Sequence, residues 1–257
     1  MGFVNIEIKD SVATLTINRA EQLNALSSEV LGEIEAVLSE LDLSRAKLLV
    51  FCSAGEKAFI AGADIKQMSS LSVESVEDFI ALGNRVMNLI QGLDLVTIAV
   101  LQGAALGGGL ELALACDLIV SSKHAKLGQP EVNLGLIPGF GGTQRLALRT
   151  GIGRARRLIL TAQVITAEEA LHMGLVDYCV EADALQTTVS ELTKTLLSKG
   201  PLALAAAKKA LSGLYMENLE NGLCLEQELF CDLFSYQDTK EGLTAFLEKR
   251  KANFQGK

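Results

Sequence analysis

Two glutamates have types and surroundings suited to chemistry. Glu111 lies in Ala105-Leu106-Gly107-Gly108-Gly109-Leu110-Glu111-Leu112-Ala113-Leu114-Ala115, and Glu131 in Gly128-Gln129-Pro130-Glu131-Val132, 20 positions further on. A charge in so apolar a segment is costly unless it is paired or put to use. One such residue reads first as a partnered or exposed carboxylate. Two of them, each beside Gly or Pro turns, leave the structural and catalytic readings evenly matched. Paired carboxylates whose pKa values are pushed apart can serve as acid and base on one substrate.

Other chemistries lack their residues. The glycine clusters suggest phosphate binding, yet no G-x-x-x-x-G-K-[ST] occurs, and neither Gly107-Gly108-Gly109 nor Gly151-Ile152-Gly153 completes G-x-G-x-x-G. G-x-S-x-G, the hydrolase elbow, is absent. His124 and His172 make no zinc spacing and read as ordinary surface or partly buried histidines, so no metal is implied.

The elements that must position the glutamates can be read from periodicity. Phe3–Ile8 and Val12–Ile17 alternate around Lys9-Asp10-Ser11 and predict a hairpin. Val30, Leu31, Ile34, Val37, Leu38 and Leu41 follow helical spacing. Leu48–Cys52 and Thr97–Leu101 predict buried strands, and Ser75 with Asp78 predicts a capping box opening a helix to about Leu93. The glycine cluster leads into a short helix, Leu110–Ala115, followed by a strand over Asp117–Ser121. Thr166 and Glu169 cap a helix over Ala167–Met173, before a strand over Leu175–Val180. Alternating strands and helices predict an α/β core with a parallel or mixed sheet. From Ala182 the pattern is helical throughout, over about 182–199, 202–215, 217–234 and 238–248. The domains expected are therefore a core over 1–181 and a helical region over 182–257.

Composition bounds the partners. The 257 residues are 49% hydrophobic, enough for a sizeable core. Acidic residues (31) exceed basic ones (23), which argues against nucleic acid or an anionic membrane as the general partner. The longest uncharged run, Leu95–Leu110, is too short and too glycine-rich to span a bilayer. Five scattered cysteines without C-x-x-C suit free thiols in a reducing compartment. No apolar signal core or Arg-rich stretch opens the chain, so the expected location is cytoplasmic, a trimmed organelle form being the other reading.

Several long blocks then carry a family likeness. Ala58-Phe59-Ile60-Ala61-Gly62-Ala63-Asp64-Ile65-Lys66, Gly103 through Asp117, and Leu127 through Leu146 resemble the signature blocks of the enoyl-CoA hydratase (crotonase) family. Asn18-Arg19 with Asn24-Ala25-Leu26, and the ending Phe246 through Phe254, match as well. The resemblance runs in order along essentially the whole chain. It departs at Ala20 and Val96, where the family usually has Pro, and in an insertion of about two residues within Ser69–Ser75. Relatives with other activities usually replace one or both glutamates; this chain has both, as hydratases do.

The resemblance implies a crotonase-like α/β fold, a spiral of ββα units with a C-terminal helical trimerisation region. It implies reversible syn addition of water to a trans-2-enoyl-CoA, giving a 3-hydroxyacyl-CoA. In that reading the N–H groups of Ala63 and Gly108 form an oxyanion hole for the thioester. Glu131 delivers a proton to C2, Glu111 orients and activates water, and Gly139 lies near that water. Coenzyme A runs along Ala61, Ala63, Asp64, Ile65 and Lys66, while Phe246 and Lys249 reach a neighbour's coenzyme A in trimers or hexamers. No metal or redox cofactor is implied, coenzyme A being part of the substrate. The acyl tail falls to Ser69–Leu93 and Phe140, and the apolar surface expected over 217–234 suits assembly. Two alternatives remain: a sister activity on a branched or aromatic enoyl-CoA, and an RNA-binding relative using Arg154-Ala155-Arg156-Arg157 and Lys249-Arg250-Lys251. Solvated helix faces explain both basic runs better than RNA does.

Overall fold

A computed structural model describes residues 2–216 and 236–257. The chain opens with a hairpin of β1 (Val4–Lys9) and β2 (Val12–Ile17), paired antiparallel from Val4↔Ile17 to Lys9↔Val12. Asp10 and Ser11 both adopt positive φ, which a two-residue hairpin turn of this twist requires. After α1 (Ser28–Ser39), strand pairs follow one another. These are β3 (Leu48–Ser53) with β4 (Ala58–Ile60), β5 (Val96–Leu101) with β6 (Ala104–Leu106), and β7 (Leu118–Ser122) with β8 (Lys126–Gly128). The first pair is followed by α2 (Ile65–Met68) and α3 (Val73–Gly92), the second by α4 (Gly108–Ala115), the third by a 3₁₀ turn over Glu131–Leu134. Each pair gives its first strand to one sheet and its second to another, which is the ββα spiral the resemblance implied.

The large sheet has the order β1-β2-β3-β5-β7-β10, where β10 is Tyr178–Val180. Beyond the hairpin its pairings are parallel. All six residues of β5 are buried, as expected of a parallel strand covered on both faces. One face carries the main core with α1, α3 and α4. On the other, Leu185 and Val189 of α8 (Leu185–Leu197) pack with Val50, Ile98, Val100 and Val120. The small sheet, β4-β6-β8-β9 with β9 at Val164–Thr166, has strands of three residues each. No period-2 pattern can register in three residues, and the sequence did not reveal this sheet.

Some expectations need correction. The box at α3 is built by Ser72 and Ser75, each side chain accepting from the other's N–H, so the helix opens at Val73 rather than after Ser75. The strand expected from Leu175 is confined to Tyr178–Val180, because the N–H groups of Leu175 and Val176 bond to the Ala170 carbonyl and close α7 (Ala167–His172). The Thr166–Glu169 box is present as expected. Between β8 and β9 lie α5 (Gly142–Thr150) and α6 (Ile152–Leu160). The C-terminal part adds α9 (Pro201–Met216) and α10 (Gln237–Leu247); the apolar stretch expected over 217–234 lies outside the described residues. No helix among the described residues is long and apolar enough to cross a membrane.

Candidate active site

The site is built where α4 meets the segment after β4. Asn24 is buried and donates from Nδ2 to the carbonyls of Ala54 and Ala58 at 2.9 and 3.1 Å, while its Oδ1 accepts from the Arg19 N–H. This pins the loop to β4. Leu26 then forms a parallel bridge with Ala63: the Leu26 N–H bonds to Gly62 O at 2.9 Å, and the Asp64 N–H to Leu26 O at 2.8 Å. In that pattern the Ala63 N–H points away from Leu26. Ala63 lines a cavity of about 510 Å³.

Facing it is the start of α4. Gly107 has φ +49° and donates to Gly128 O at 3.0 Å, leaving Gly108 as the first residue of the helix. Its N–H precedes the first intrahelical bond, from the Glu111 N–H to Gly107 O. Glycines are needed for close approach: a Cβ on Gly109 would run into the Ile60 carbonyl, and one on Gly107, whose φ is positive, would sit 3.0 Å from Glu131 Oε1. Ala63 and Gly108 both line the cavity, Gly108 at the positive end of a helix.

Glu111 is one turn further along α4 and only 2% exposed. Its Oε1 accepts from the N–H groups of Phe140 (2.8 Å) and Gly142 (2.7 Å). Among the described residues no hydrogen bond engages Oε2. Burial raises the Glu111 pKa to about 7; the charge of Glu131 adds to this, and the two N–H donors and the Arg145 guanidinium oppose it. Glu131 opens the 3₁₀ turn and lines the same cavity. Fully buried Gln129 lies beside it; with its amide nitrogen turned inward it donates to both Glu131 oxygens, at 2.8 and 3.2 Å. Burial raises the Glu131 pKa as well. Two carboxyls held above the usual range at one cavity suit proton transfer near neutral pH.

Gly139 lines the cavity too, with its carbonyl accepting from Asn84 Nδ2 at 3.1 Å. Met68, Val76, Phe79 and Ile80 form an apolar wall from α2 and α3, and Phe79 meets Phe140 edge to face with centroids 5.4 Å apart. Ala61 and Ile65 also line the cavity. Asp64 and Lys66 do not. The Asp64 carboxylate caps α2 through the Gln67 N–H and pairs with Arg19 at 2.7 Å, both holding its pKa down, while Lys66 is exposed. Lys249 is exposed just beyond α10 and is not among the lining residues; the Phe246 side chain lies outside the description. The basic runs are partly engaged locally. Arg154 donates to the Thr150 and Met173 carbonyls, and Arg250 pairs with Glu241 and Glu248. Among the described residues no cluster of His, Cys, Asp and Glu could hold a metal ion, and Cys52, Cys116 and Cys179 are free.

Sequence reasoning missed Gln129, Asn84, Arg145 and the donors from Phe140 and Gly142. The one available signal for the donors is Gly141-Gly142 opening α5, because a helix start exposes N–H groups that a carboxylate can use.

This combination, an α/β spiral with two carboxyls and the first residue of a helix at one cavity, defines a pocket equipped for proton chemistry. The model of the enoyl-CoA hydratase/isomerase family matches residues 7–257, and the chain belongs to that family. It is 44% identical to a crotonyl-CoA hydratase of Syntrophomonas wolfei, with 99% of each chain covered. It is 43% identical to a short-chain-enoyl-CoA hydratase of Clostridium acetobutylicum, covering 96% of this chain and 95% of that one. The crystal structure of an enoyl-CoA hydratase from Bacillus anthracis superposes with a TM-score of 0.96 at 36% identity, over 99% of this chain and all of the other.

Proposed function

We infer that the protein is an enoyl-CoA hydratase, adding water reversibly to a trans-2-enoyl-CoA to give a 3-hydroxyacyl-CoA. The observation that carries this is the placement of Glu111 and Glu131 on one cavity with Ala63 and Gly108. The thioester oxygen takes the place between the two N–H groups, which stabilise enolate-like charge as it develops. Ionised Glu111 orients a water through Oε2 and removes its proton as oxygen bonds to C3. Glu131 delivers a proton to C2, so the elements of water add across one face of the double bond. No resident cofactor takes part in this reaction.

The names of the relatives and the Phe79–Phe140 pair closing the apolar wall support a short acyl chain as substrate. The family likeness supports assembly as trimers, singly or in pairs, which would bring Phe246 and Lys249 to a neighbour's coenzyme A. Free thiols support a reducing, cytoplasmic setting. Loss of enone absorbance with crotonyl-CoA tests the activity. Glu131→Gln and Glu111→Gln should each lower kcat about 10²- to 10⁴-fold, with strong non-additivity in the double mutant because both act on one water and one substrate. More than about a tenth of wild-type kcat in either variant overturns the assignment.

A further inference from the structure

We propose that Asn84 and Arg145 are positioning residues for Glu111, acting through the Gly139–Gly141 backbone that they anchor to helix α3. The loop that holds Glu111 is rich in glycine: Gly139, Gly141 (φ +92°) and Gly142 surround Phe140. Such a segment has little conformational preference of its own. Yet its N–H groups must lie within a fraction of an ångström of their places for Glu111 Oε1 to be fixed. What fixes the loop is side chains bound to its carbonyls.

Asn84 donates to Gly139 O, the carbonyl of the very peptide group whose N–H, on Phe140, binds Glu111. Asn84, peptide and carboxylate thus form one hydrogen-bonded chain, in which each bond polarises the next. Arg145 holds the following peptide by donating from Nη1 to Phe140 O at 2.9 Å. Its other nitrogens are held by α3: Nε donates to Gln91 Oε1 at 2.9 Å and Nη2 to Asn88 Oδ1 at 2.7 Å. Residues 84, 88 and 91 are spaced by four and three positions, so they form one stripe on the helix. Three nitrogens reach three separate acceptors around the planar guanidinium, a spread that the single nitrogen of an ammonium cannot span. The Phe140 ring completes the clamp by packing on Gly83, where a Cβ would clash with it.

The proposal rests on the hydratase reading, and the test separates the two. Asn84→Ala, Arg145→Lys and Arg145→Met are assayed for crotonyl-CoA hydration per folded site, beside Glu111→Gln. Asn84→Ala and Arg145→Met should lower kcat about 10- to 100-fold, the cost of a misplaced catalytic group, with KM changed much less. The charged groups acting on Glu111 are Glu131 and Arg145. Arg145→Met should therefore move the Glu111 limb of the pH profile upward, whereas Arg145→Lys keeps a charge there and should leave the limb near its wild-type place while kcat stays low. Should Arg145→Met not fold, Asn84→Ala carries the same prediction alone. Wild-type kcat and an unmoved pH limb in the folded variants, with Glu111→Gln inactive, would overturn the positioning role and leave the hydratase reading intact. An active Glu111→Gln would overturn both.

Discussion

Glu111→Gln should make the protein more stable, and increasingly so as pH rises. The folded-state pKa of Glu111 is raised from 4.5 to about 7, chiefly by burial. A carboxyl that binds its proton more tightly in the folded than in the unfolded state favours folding while protonated. That contribution is fully present below pH 4.5 and is lost as pH climbs through about 7. At 1.36 kcal/mol per unit, the loss amounts to about 3 kcal/mol at alkaline pH. Glutamine does not titrate, and its Oε1 can accept the same two N–H bonds from Phe140 and Gly142, so its contacts change little with pH. The part of the rise in the Glu131 pKa that comes from its own burial is common to both proteins, while its coupling to the Glu111 charge is lost in the mutant and adds to the pH-dependent difference. Between about pH 5 and pH 8.5 the mutant's advantage should therefore grow by roughly 2–3 kcal/mol. For a chain of this size that is roughly 5–10 °C in Tm. The assay is thermal unfolding of both proteins at several pH values, with protein concentration and ionic strength held constant. A mutant-minus-wild-type difference that stays flat across that range would show that the folded protein does not hold the Glu111 pKa up.

Further outcomes follow from the site. Gly108→Pro removes the first N–H of α4; a folded variant should lose about 100- to 1,000-fold in kcat on crotonyl-CoA, and near-normal turnover would place the oxyanion hole elsewhere. Phe79→Ala opens the apolar wall beside Phe140, so a kcat/KM series over acyl chain lengths should shift toward longer chains; an unchanged series would show that the tail runs elsewhere. Lys249→Ala should raise KM more than it lowers kcat, because it removes ground-state binding, and light scattering should return a trimer or hexamer. A fully active monomer would refute the shared site.

How much of this could be read from the sequence depends on the physics of each feature. The hairpin was legible because alternation over six residues and a turn at Asp10-Ser11 agree. The large sheet was legible as buried apolar runs, as in β3 and β5. The small sheet was not, since each of its strands spans three residues. Glu111 and Glu131 were legible as charges in apolar segments, and Ala63 and Gly108 only through the family likeness. The Phe140 and Gly142 donors were illegible for a plainer reason: a backbone N–H belongs to every residue but proline, so its use leaves no mark on residue type. Asn84 and Arg145 reach the Gly139 carbonyl and the Gln91 and Asn88 amides from more than 50 positions away, and only the fold brings them together; Gln129, two residues from Glu131, is a common polar residue whose type leaves no mark of that contact.

One element joins binding to chemistry. Phe79 and Ile80 of α3 line the cavity where the acyl tail is proposed to lie, and Gly83 and Asn84, on the next turn of the same helix, touch the Phe140 ring and the Gly139 carbonyl. The Phe140 N–H in turn fixes Glu111. A tail that fills the wall therefore presses on the helix that sets the catalytic carboxylate, and one that leaves it empty does not. Acyl groups of different length should then differ in kcat as well as KM, because contacts remote from the reacting carbons are realised as better placement of the water-activating group in the transition state.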